Sequence, residues 1–305
     1  MLILSLSILG GLVGLFVGGE LLVRGSVAMA KRLGISNLVT GLVIVGAATS
    51  MPEMVASVQA ALEGSPGIAW GNVVGSNLAN TLLILGATAL VAPIILHGIG
   101  KRDAVVALLA TLAVWALAVS QAGARWIGIA LLVALVVYIV WRVRHPPELE
   151  EEDDEKQPGF GLAIILFLAG LGALVVGGKF LVDGAIELAT LAGISQTVIG
   201  LTIVAVGTSL PELAASIAAA LKGRSDLAVG NVVGSNIFNL LMIGGVTMAV
   251  SPLAIPAEML DLEFPVLAGS AVLMLLLCRY AHSIGRGLGL LLLAAFTVNT
   301  ALLFA

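Results

Sequence analysis

The sequence predicts an all-α polytopic membrane protein with ten transmembrane helices, arranged as two five-helix repeats of inverted topology. Three observations support this prediction. Of the 305 residues, 60 % are hydrophobic and only 10 % are charged, whereas a soluble domain carries about 25 % charged residues. Apolar runs repeatedly exceed the roughly 20 residues that cross a bilayer. A long stretch of the first half also recurs in the second half without a gap.

Glycine, proline and charged residues divide the apolar sequence into ten spans. The first run lacks a basic segment and a small-residue cleavage pattern, so we expect a span rather than a removed signal peptide. One polar stretch, residues 142–159, separates two sets of five spans. We therefore expect repeats at 1–143 and 159–305, joined by an acidic cytoplasmic linker at 144–158. The predicted spans are 2–33, 35–62, 67–93, 104–121, 124–143, 159–192, 194–221, 226–251, 262–279 and 282–304.

The two halves are related by an internal duplication. Adding 159 to each number from 18 to 86 aligns it with 177–245, and 36 of these 69 positions are identical. The matches include TS·PE and GNVVGSN, which chance similarity between apolar helices would not produce. Because five is an odd number, the second repeat must enter the membrane in the opposite orientation. Inverted repeats are typical of secondary transporters, whose ion sites lie where the repeats meet.

The basic residues predict the orientation of the chain. If the N-terminus is outside, the lysines and arginines of the loops all fall inside, with the exception of Arg125. The positive-inside rule therefore favours both termini outside and the acidic linker in the cytoplasm. The inside residues are Lys31, Arg32, Lys101, Arg102, Arg142, Arg144, Lys156, Lys222, Arg224, Arg279 and Arg286.

A polar cluster occurs in the second span of each repeat, in "GAATSMPE" and "AVGTSLPE". Its members share a helix face; they are Gly46, Thr49, Ser50 and Glu53, and then Ala205, Thr208, Ser209 and Glu212. Pro52 and Pro211 cannot donate to the carbonyl four residues earlier, which opens that turn. Freed carbonyls are tolerated in a bilayer only where they line a cavity or bind something. Carboxylate, hydroxyl and carbonyl oxygens together suit hard cations such as calcium and sodium.

A second motif, GNVVGSN, begins the following span of each repeat. Ser76 and Asn80 lie four residues apart on one face, as do Ser235 and Asn239. The glycine pairs Gly71 with Gly75 and Gly230 with Gly234 form the small-xxx-small pattern of closely packed helices. We infer that spans 2, 3, 7 and 8 pack together and direct these oxygens to one site.

The buried carboxylates leave two interpretations. An ionised carboxylate at the centre of a transmembrane helix costs at least about 2.5 kcal/mol. A bound calcium ion would neutralise both Glu53 and Glu212, which would otherwise repel each other. The alternative is a pair of protonated or hydrogen-bonded structural glutamates. The appearance of the same cluster twice, each time with a proline, favours the cation site.

These paired motifs resemble the two α-repeats of the sodium/calcium exchangers of the calcium/cation antiporter superfamily, prokaryotic type. The resemblance covers nearly the whole chain. It implies calcium ligands at Glu53 and Glu212, with Thr49 and Thr208 beside them. Together with the second motif, it implies a calcium and sodium site formed by Glu53, Glu212, Thr49, Ser50, Thr208, Ser209, Ser76, Ser235, Asn80 and Asn239, and by the backbone oxygens of Gly46 and Ala205. It also implies alternating access, with the long spans 1 and 6 sliding across the core.

The sequence departs from the family pattern at two positions. Ala48 stands where the motif usually has glycine, as Gly207 does in the second repeat. Asn239 replaces an aspartate found in many prokaryotic and potassium-dependent relatives, and Asn80 occupies the same place in the first repeat. Potassium-independent relatives resemble this arrangement, so we expect no potassium co-transport.

Two charged pairs lie within the long spans. Glu20 is four residues from Arg24, and Lys179 is four residues from Asp183 at the matching positions with the signs exchanged. We interpret them as structural pairs that hold or guide the moving helices, with gating as the alternative.

The sequence thus predicts a secondary antiporter of the plasma (inner) membrane that exchanges sodium for calcium by alternating access. We expect an electrogenic, potassium-independent, calcium-extruding monomer in the lipid bilayer, with calcium and sodium as transported ligands. No cofactor, nucleic acid or obligatory protein partner is expected. A proton/divalent-cation exchanger of the same superfamily is the alternative. An intramembrane enzyme is disfavoured because the sequence has no nucleophile motif or metal cluster such as H-E-x-x-H, and a structural protein would have no reason to duplicate buried carboxylates.

Overall fold

The computed structural model describes residues 2–145, 158–191, 205–252 and 254–302, so most of the acidic linker lies outside the described residues. The described chain is helical apart from its turns and two short strands, β1 (Ile94–Ile95) and β2 (Ser283–Ile284). The helices are α1 Leu2–Leu33, α2 Asn37–Thr49, α3 Met51–Leu62, α4 Pro66–Val91, α5 Lys101–Ser120, α6 Arg125–Arg144, α7 Phe160–Leu191, α8 Ala205–Thr208, α9 Leu210–Leu221, α10 Ser225–Val250, α11 Glu263–Tyr280 and α12 Arg286–Leu302. A 3₁₀ turn, Ala257–Leu260, precedes α11.

The helices confirm a multi-pass membrane protein. Seven of them are long and apolar enough to cross a bilayer, and the bent pair α2–α3 makes eight if it counts as one span. These eight correspond to predicted spans 1 to 6, 8 and 9. The helices of predicted spans 7 and 10, α9 and α12, are apolar but shorter. Residues 194–204 of predicted span 7 lie outside the described residues.

Helices α4 and α10 form the centre of the molecule. In the most apolar 18-residue stretch of each helix, 78 % of α4 and 83 % of α10 is buried within the protein. The same fraction is 33 % for α1 and 28 % for α7. The bent pair α2–α3 packs on both central helices, and α9 packs on both from the second repeat. The predicted association of spans 2, 3, 7 and 8 is therefore confirmed for their described residues.

Helix α2 crosses α10 at unusually close range. A Cβ atom added to Gly41 would lie 2.5 Å from the Leu227 carbonyl oxygen, and one added to Gly230 would lie 2.6 Å from the Leu38 carbonyl oxygen. Gly234 meets the backbone of Leu42 in the same way. The glycine pair of the second repeat therefore permits close packing, as predicted. Gly71 and Gly75 are the first-repeat equivalents of Gly230 and Gly234. The residues equivalent to Gly41 and Leu42, at positions 200 and 201, lie outside the described residues.

The long helices α1 and α7 pack against each other along their length. Their contact is lined by glycines from both helices: a Cβ atom on Gly14 would lie 2.9 Å from the Cα atom of Gly177. A Cβ atom on Gly18 would lie 2.7 Å from the backbone nitrogen of Leu174. The two backbones are therefore in direct contact, and we refer to α1 and α7 together as one unit.

The two strands join loops from the two halves of the chain. β1, which follows α4, pairs antiparallel with β2, which precedes α12. The Ile95 amide also donates a hydrogen bond to Ser225 Oγ, at the start of α10, over 3.0 Å. The loops around these residues therefore lie at one end of the helix bundle, and they carry Lys101 and Arg286 among their basic residues.

Candidate cation-binding site

The second span of each repeat is broken at the predicted place. Helix α2 ends at Thr49 and α3 begins at Met51, with a bend of 45° between them. Ser50 leaves the helical conformation (φ −80°, ψ 7°), and Ser209 does the same in the second repeat (φ −87°, ψ 5°). Each new helix carries its proline in the first turn, where a missing N–H is tolerated. The breaks predicted from Pro52 and Pro211 are thus confirmed.

The serine at each break reaches the carboxylate of the other repeat. Ser50 Oγ donates a hydrogen bond to Glu212 Oε1 over 3.1 Å, and Ser209 Oγ donates one to Glu53 Oε1 over 3.3 Å. Both glutamates are 1 % exposed. Their second carboxylate oxygens, Oε2, have no hydrogen-bond partner among the described residues. Two buried carboxylates therefore meet where the two halves of the chain meet, each with one oxygen available to a ligand.

Two asparagines support this arrangement, and sequence reasoning missed both. Asn72 Nδ2 donates to the Glu53 carbonyl oxygen and to Ser57 Oγ, each over 2.9 Å. Asn231 Nδ2 makes the equivalent bonds to Glu212 O (3.1 Å) and Ser216 Oγ (2.9 Å). These bonds tie the first turn after each break to the following span. The signal was present in the sequence, because both asparagines belong to the duplicated GNVVGSN motif.

The predicted threonines and backbone oxygens lie on the helices before the breaks. Thr49 Oγ1 is buried, 3.0 Å from the Val45 carbonyl oxygen and 3.4 Å from Asn231 Oδ1. Thr208 is partly buried at the end of α8. The Gly46 carbonyl oxygen accepts a hydrogen bond from the Ser50 amide over 3.1 Å, which leaves its second lone pair free to bind a cation. Ala205 opens α8, and its side chain lies outside the described part of the structure.

The predicted residues of the second motif line the buried helices α4 and α10. Asn80, Asn239, Ser76 and Ser235 are all buried, with at most 4 % exposure. Within the described chain, neither amide atom of Asn80, nor Asn239 Oδ1, nor Ser235 Oγ has a hydrogen-bond partner. Both asparagines lie in π-helical segments, Ala79–Ile84 and Asn239–Ile243. Such local widening of a helix is frequent at functional sites.

The donor set of the site is made of oxygen. In the part of the chain that the structure describes, no three histidine, cysteine, aspartate or glutamate side chains come together. The site instead combines two carboxylates with hydroxyl, amide and carbonyl oxygens. Hard cations such as sodium, calcium and manganese prefer such ligands, whereas zinc and copper prefer nitrogen and sulfur.

A second cluster of buried charged side chains joins α5 to α6, and the sequence did not predict it. Arg142, placed beside the linker by sequence reasoning, is 3 % exposed, and its Nε atom lies 2.8 Å from Asp103 Oδ1. Tyr138 donates its hydroxyl hydrogen to the same oxygen over 2.9 Å. This cluster joins the first turn of α5 to the last turns of α6 and takes no part in the cation site.

Buried carboxylates shared between two halves of a multi-pass helical protein define a membrane cation transporter. Comparison with known proteins identifies the kind. The family model of the sodium/calcium exchanger protein matches residues 3–144 and 162–305. The chain therefore belongs to the sodium/calcium exchanger family, and it is a multi-pass cation antiporter rather than an enzyme.

Individual relatives agree with this assignment over almost the full chain. The uncharacterized membrane protein MJ0091 of Methanocaldococcus jannaschii is 37 % identical, with 95 % of each chain covered. The sodium/calcium exchanger MaX1 of Methanosarcina acetivorans is 30 % identical, with 98 % of each covered. The solved structure of the sodium-calcium exchanger NCX_Mj superposes with a TM-score of 0.86 at 33 % identity, covering 99 % of both chains.

Proposed function

We propose that the chain exchanges sodium for calcium across the plasma (inner) membrane by alternating access, in the direction of calcium extrusion. One observation carries the proposal: two buried carboxylates, each hydrogen-bonded by a serine of the other half, keep one oxygen without a protein partner. Membership of the exchanger family and the likeness to NCX_Mj, described as a protein of extracellular ion exchange, support it.

The proposed roles follow from the charges of the ligands. Glu53 and Glu212 bind calcium, with Thr49 and Thr208 completing the ligand set around the ion. Sodium occupies the same carboxylates together with hydroxyl, amide and backbone oxygens. Besides the two carboxylates, the proposed sodium ligands are Thr49, Thr208, Ser50, Ser209, Ser76, Ser235, Asn80, Asn239, and the carbonyl oxygens of Gly46 and Ala205. Because the two ions share ligands, each displaces the other.

The proposed topology has ten spans in two inverted repeats, 1–143 and 159–305, with the linker 144–158 in the cytoplasm and both termini outside. The pairing of β1 with β2 supports it, because a ten-span chain places these loops on the same side. The basic residues Lys101, Arg102, Arg279 and Arg286 flank the same strands. We propose that a single chain is the working unit, since the site is complete within it.

The same carboxylates account for the coupling of binding to movement. An empty site would have to carry two uncompensated charges through a closed state of low dielectric, which costs several kcal/mol per charge. One calcium ion neutralises the two carboxylates, and bound sodium ions likewise compensate their negative charges, which permits the switch. The exchanger therefore changes sides when loaded and not when empty.

The decisive experiment is calcium-45 uptake into proteoliposomes that contain the purified chain. An outward sodium gradient should drive uptake, and an outward proton gradient of equal size should not. Uptake driven by protons alone would replace the proposal with proton/divalent-cation exchange. Uptake driven by neither gradient would reject cation exchange of either kind.

The exchange should respond to membrane potential. With two carboxylates, one calcium ion leaves the site neutral, and more than two sodium ions per calcium then move net charge. Clamping the vesicle potential with valinomycin and potassium should change the initial rate of sodium-driven calcium uptake in proportion to the imposed voltage. A rate that is the same at all potentials would indicate electroneutral exchange of two sodium ions per calcium.

Potassium should be dispensable because Asn239 contributes an oxygen and no charge. An aspartate at this position could compensate a potassium ion bound beside calcium, whereas the neutral amide of Asn239 supplies no such charge. Replacing potassium by choline on the calcium side should leave sodium-driven calcium flux unchanged. In an Asn239→Asp variant, the third carboxylate in the site should make flux more sensitive to pH than in the parent. A parent flux that collapses in choline and returns with potassium would contradict the assignment of Asn239.

A further inference from the structure

The unit formed by α1 and α7 packs mainly on α9 of the second repeat, with a smaller contact to α2 of the first. On α1, a Cβ atom added to Gly19 would lie 2.9 Å from the carbonyl oxygen of Ala214, on α9. Gly178 is the repeat equivalent of Gly19, yet no described atom comes within 3.9 Å of its added Cβ. Val55, the equivalent of Ala214, is 64 % exposed on α3. The structure therefore records one of two arrangements that the duplicated sequence would allow.

An ion pair joins α1 to the end of α9 in the second repeat. Lys222, just after α9, lies with its Nζ atom 2.6 Å from Glu20 Oε1 on α1, and both side chains remain partly exposed. The repeat equivalents are Glu63 for Lys222 and Lys179 for Glu20, which are the same two charges with their positions exchanged. In this structure Lys179 is held within α7, 2.8 Å from Asp183 Oδ2.

The equivalent charged residues of the other pair are bonded within their own helices. Glu63 Oε1 accepts a hydrogen bond from Gln59 Nε2, one turn earlier on α3, over 3.1 Å. Asp183, which holds Lys179, corresponds to Arg24 on α1. The predicted pairing of Glu20 with Arg24 is thus replaced here by the pairing of Glu20 with Lys222.

The sign of the charge is reversed between the two repeats at all three pairs of equivalent positions. Residue 20 is acidic where 179 is basic, 24 is basic where 183 is acidic, and 63 is acidic where 222 is basic. Reversal at one position alone would have set like charges against each other. Because all three reverse together, both the bond within the long helix and the bond to the neighbouring repeat are attractive in either half.

We propose that these six residues form a reciprocal latch on the alternating-access movement, an inference that rests on the inverted-repeat transport cycle proposed above. In the arrangement shown, Glu20 is bound to Lys222 and Lys179 to Asp183. In the opposite arrangement, Lys179 binds Glu63 and Glu20 returns to Arg24. The number of ion pairs is equal in both, so the latch stabilises each end state without favouring one. Partly exposed pairs of this kind shift an equilibrium by at most about fivefold.

Cross-linking tests whether the second bond of the latch forms. In a Cys278→Ser background, one variant carries Glu20→Cys with Lys222→Cys, and the other carries Glu63→Cys with Lys179→Cys. A short bifunctional thiol reagent should link both pairs in membranes, and single-cysteine variants serve as controls. Ionic conditions that increase one product should decrease the other. Failure of the 63–179 pair to react under sodium, calcium and ion-free conditions, or parallel changes in the two yields, would overturn the latch.

Charge reversal provides a second test, because a purely structural role for these residues would not change the cross-linking yield. Adding Lys222→Glu sets two carboxylates against each other in the arrangement shown and alters no pair of the opposite arrangement, so it should increase the 63–179 product several-fold. Adding Glu20→Gln as well removes this repulsion together with the Glu20–Arg24 pair of the opposite arrangement, so the yield should return to that of the parent. Arg125→Glu makes the same change of charge at the exposed start of α6 and should have no effect. An equal response to Lys222→Glu and Arg125→Glu would reject the latch.

The two proposals can fail separately. Cross-linking reports the position of the helices and does not depend on which gradient drives transport. Reciprocal cross-links without sodium-driven calcium uptake would reject the proposed exchange and retain the latch. Sodium-driven uptake without the 63–179 cross-link would reject the latch and retain the proposed exchange.

Discussion

Replacing either Glu53 or Glu212 by glutamine should abolish sodium-driven calcium flux while leaving the protein folded. Glutamine retains an oxygen at the position that accepts the hydrogen bond from Ser209 or Ser50. It removes one of the only two full negative charges that the site offers to a divalent ion. A buried cation left with half of its compensating charge is destabilised by several kcal/mol, so the expected loss of flux exceeds tenfold in each variant.

The measurement is calcium-45 uptake in proteoliposomes, with elution volume and thermal midpoint as checks on folding. Glu258→Gln is the matched control, since this glutamate is exposed on the turn before α11. It should behave as the parent does. Flux above about a tenth of the parent value, equivalent to a loss below about 1.4 kcal/mol, would show that the affected glutamate is not a central ligand.

Replacing Arg142 by methionine should destabilise the fold by about 3–5 kcal/mol, the usual cost of leaving one member of a buried ion pair without its partner. Asp103 would keep the hydrogen bond from the Tyr138 hydroxyl but would lose its compensating positive charge. The double variant Asp103→Asn with Arg142→Met removes both charges and should recover a large part of the loss. Thermal and denaturant unfolding in detergent measure these differences.

The neighbouring arginine provides the control for that series. Arg144 lies in the same last turn of α6 but is exposed, so Arg144→Met should change the free energy of unfolding by less than about 0.5 kcal/mol. Equal destabilisation by the two methionine variants would mean that the loss of a positive charge at this end of α6, rather than the pair with Asp103, is responsible.

The features that sequence predicted well depend on local chemistry or on duplication. The breaks at Ser50 and Ser209 follow from prolines, which remove a backbone donor wherever they occur in a helix. The glutamates stood out because a buried carboxylate is costly and this one appears twice. Helix α4 and the long helices α1 and α7 were placed to within a few residues, because a bilayer sets the length of an apolar run.

The features that sequence missed depend on contacts between distant parts of the chain. Helical spacing pairs Glu20 with Arg24, but the structure pairs it with Lys222, 202 residues away. In the sequence, Arg142 resembles an ordinary arginine at the end of a span, because its partner Asp103 lies on another helix. The bonds from Ser50 to Glu212 and from Ser209 to Glu53 could not be deduced from either repeat by itself. Asn72 and Asn231 are different, because their duplication made them visible and only their role was missing.

The crossed serine bonds also bear on how such a site can originate. Neither half of the chain satisfies its own carboxylate through its own serine; each completes the other. Two copies of a single five-helix ancestor, inserted in opposite orientations, would have built the same site from identical parts. A pair of identical copies would carry the same residue at both positions, so the opposite charges of Glu20 and Lys179 require two halves whose sequences have diverged.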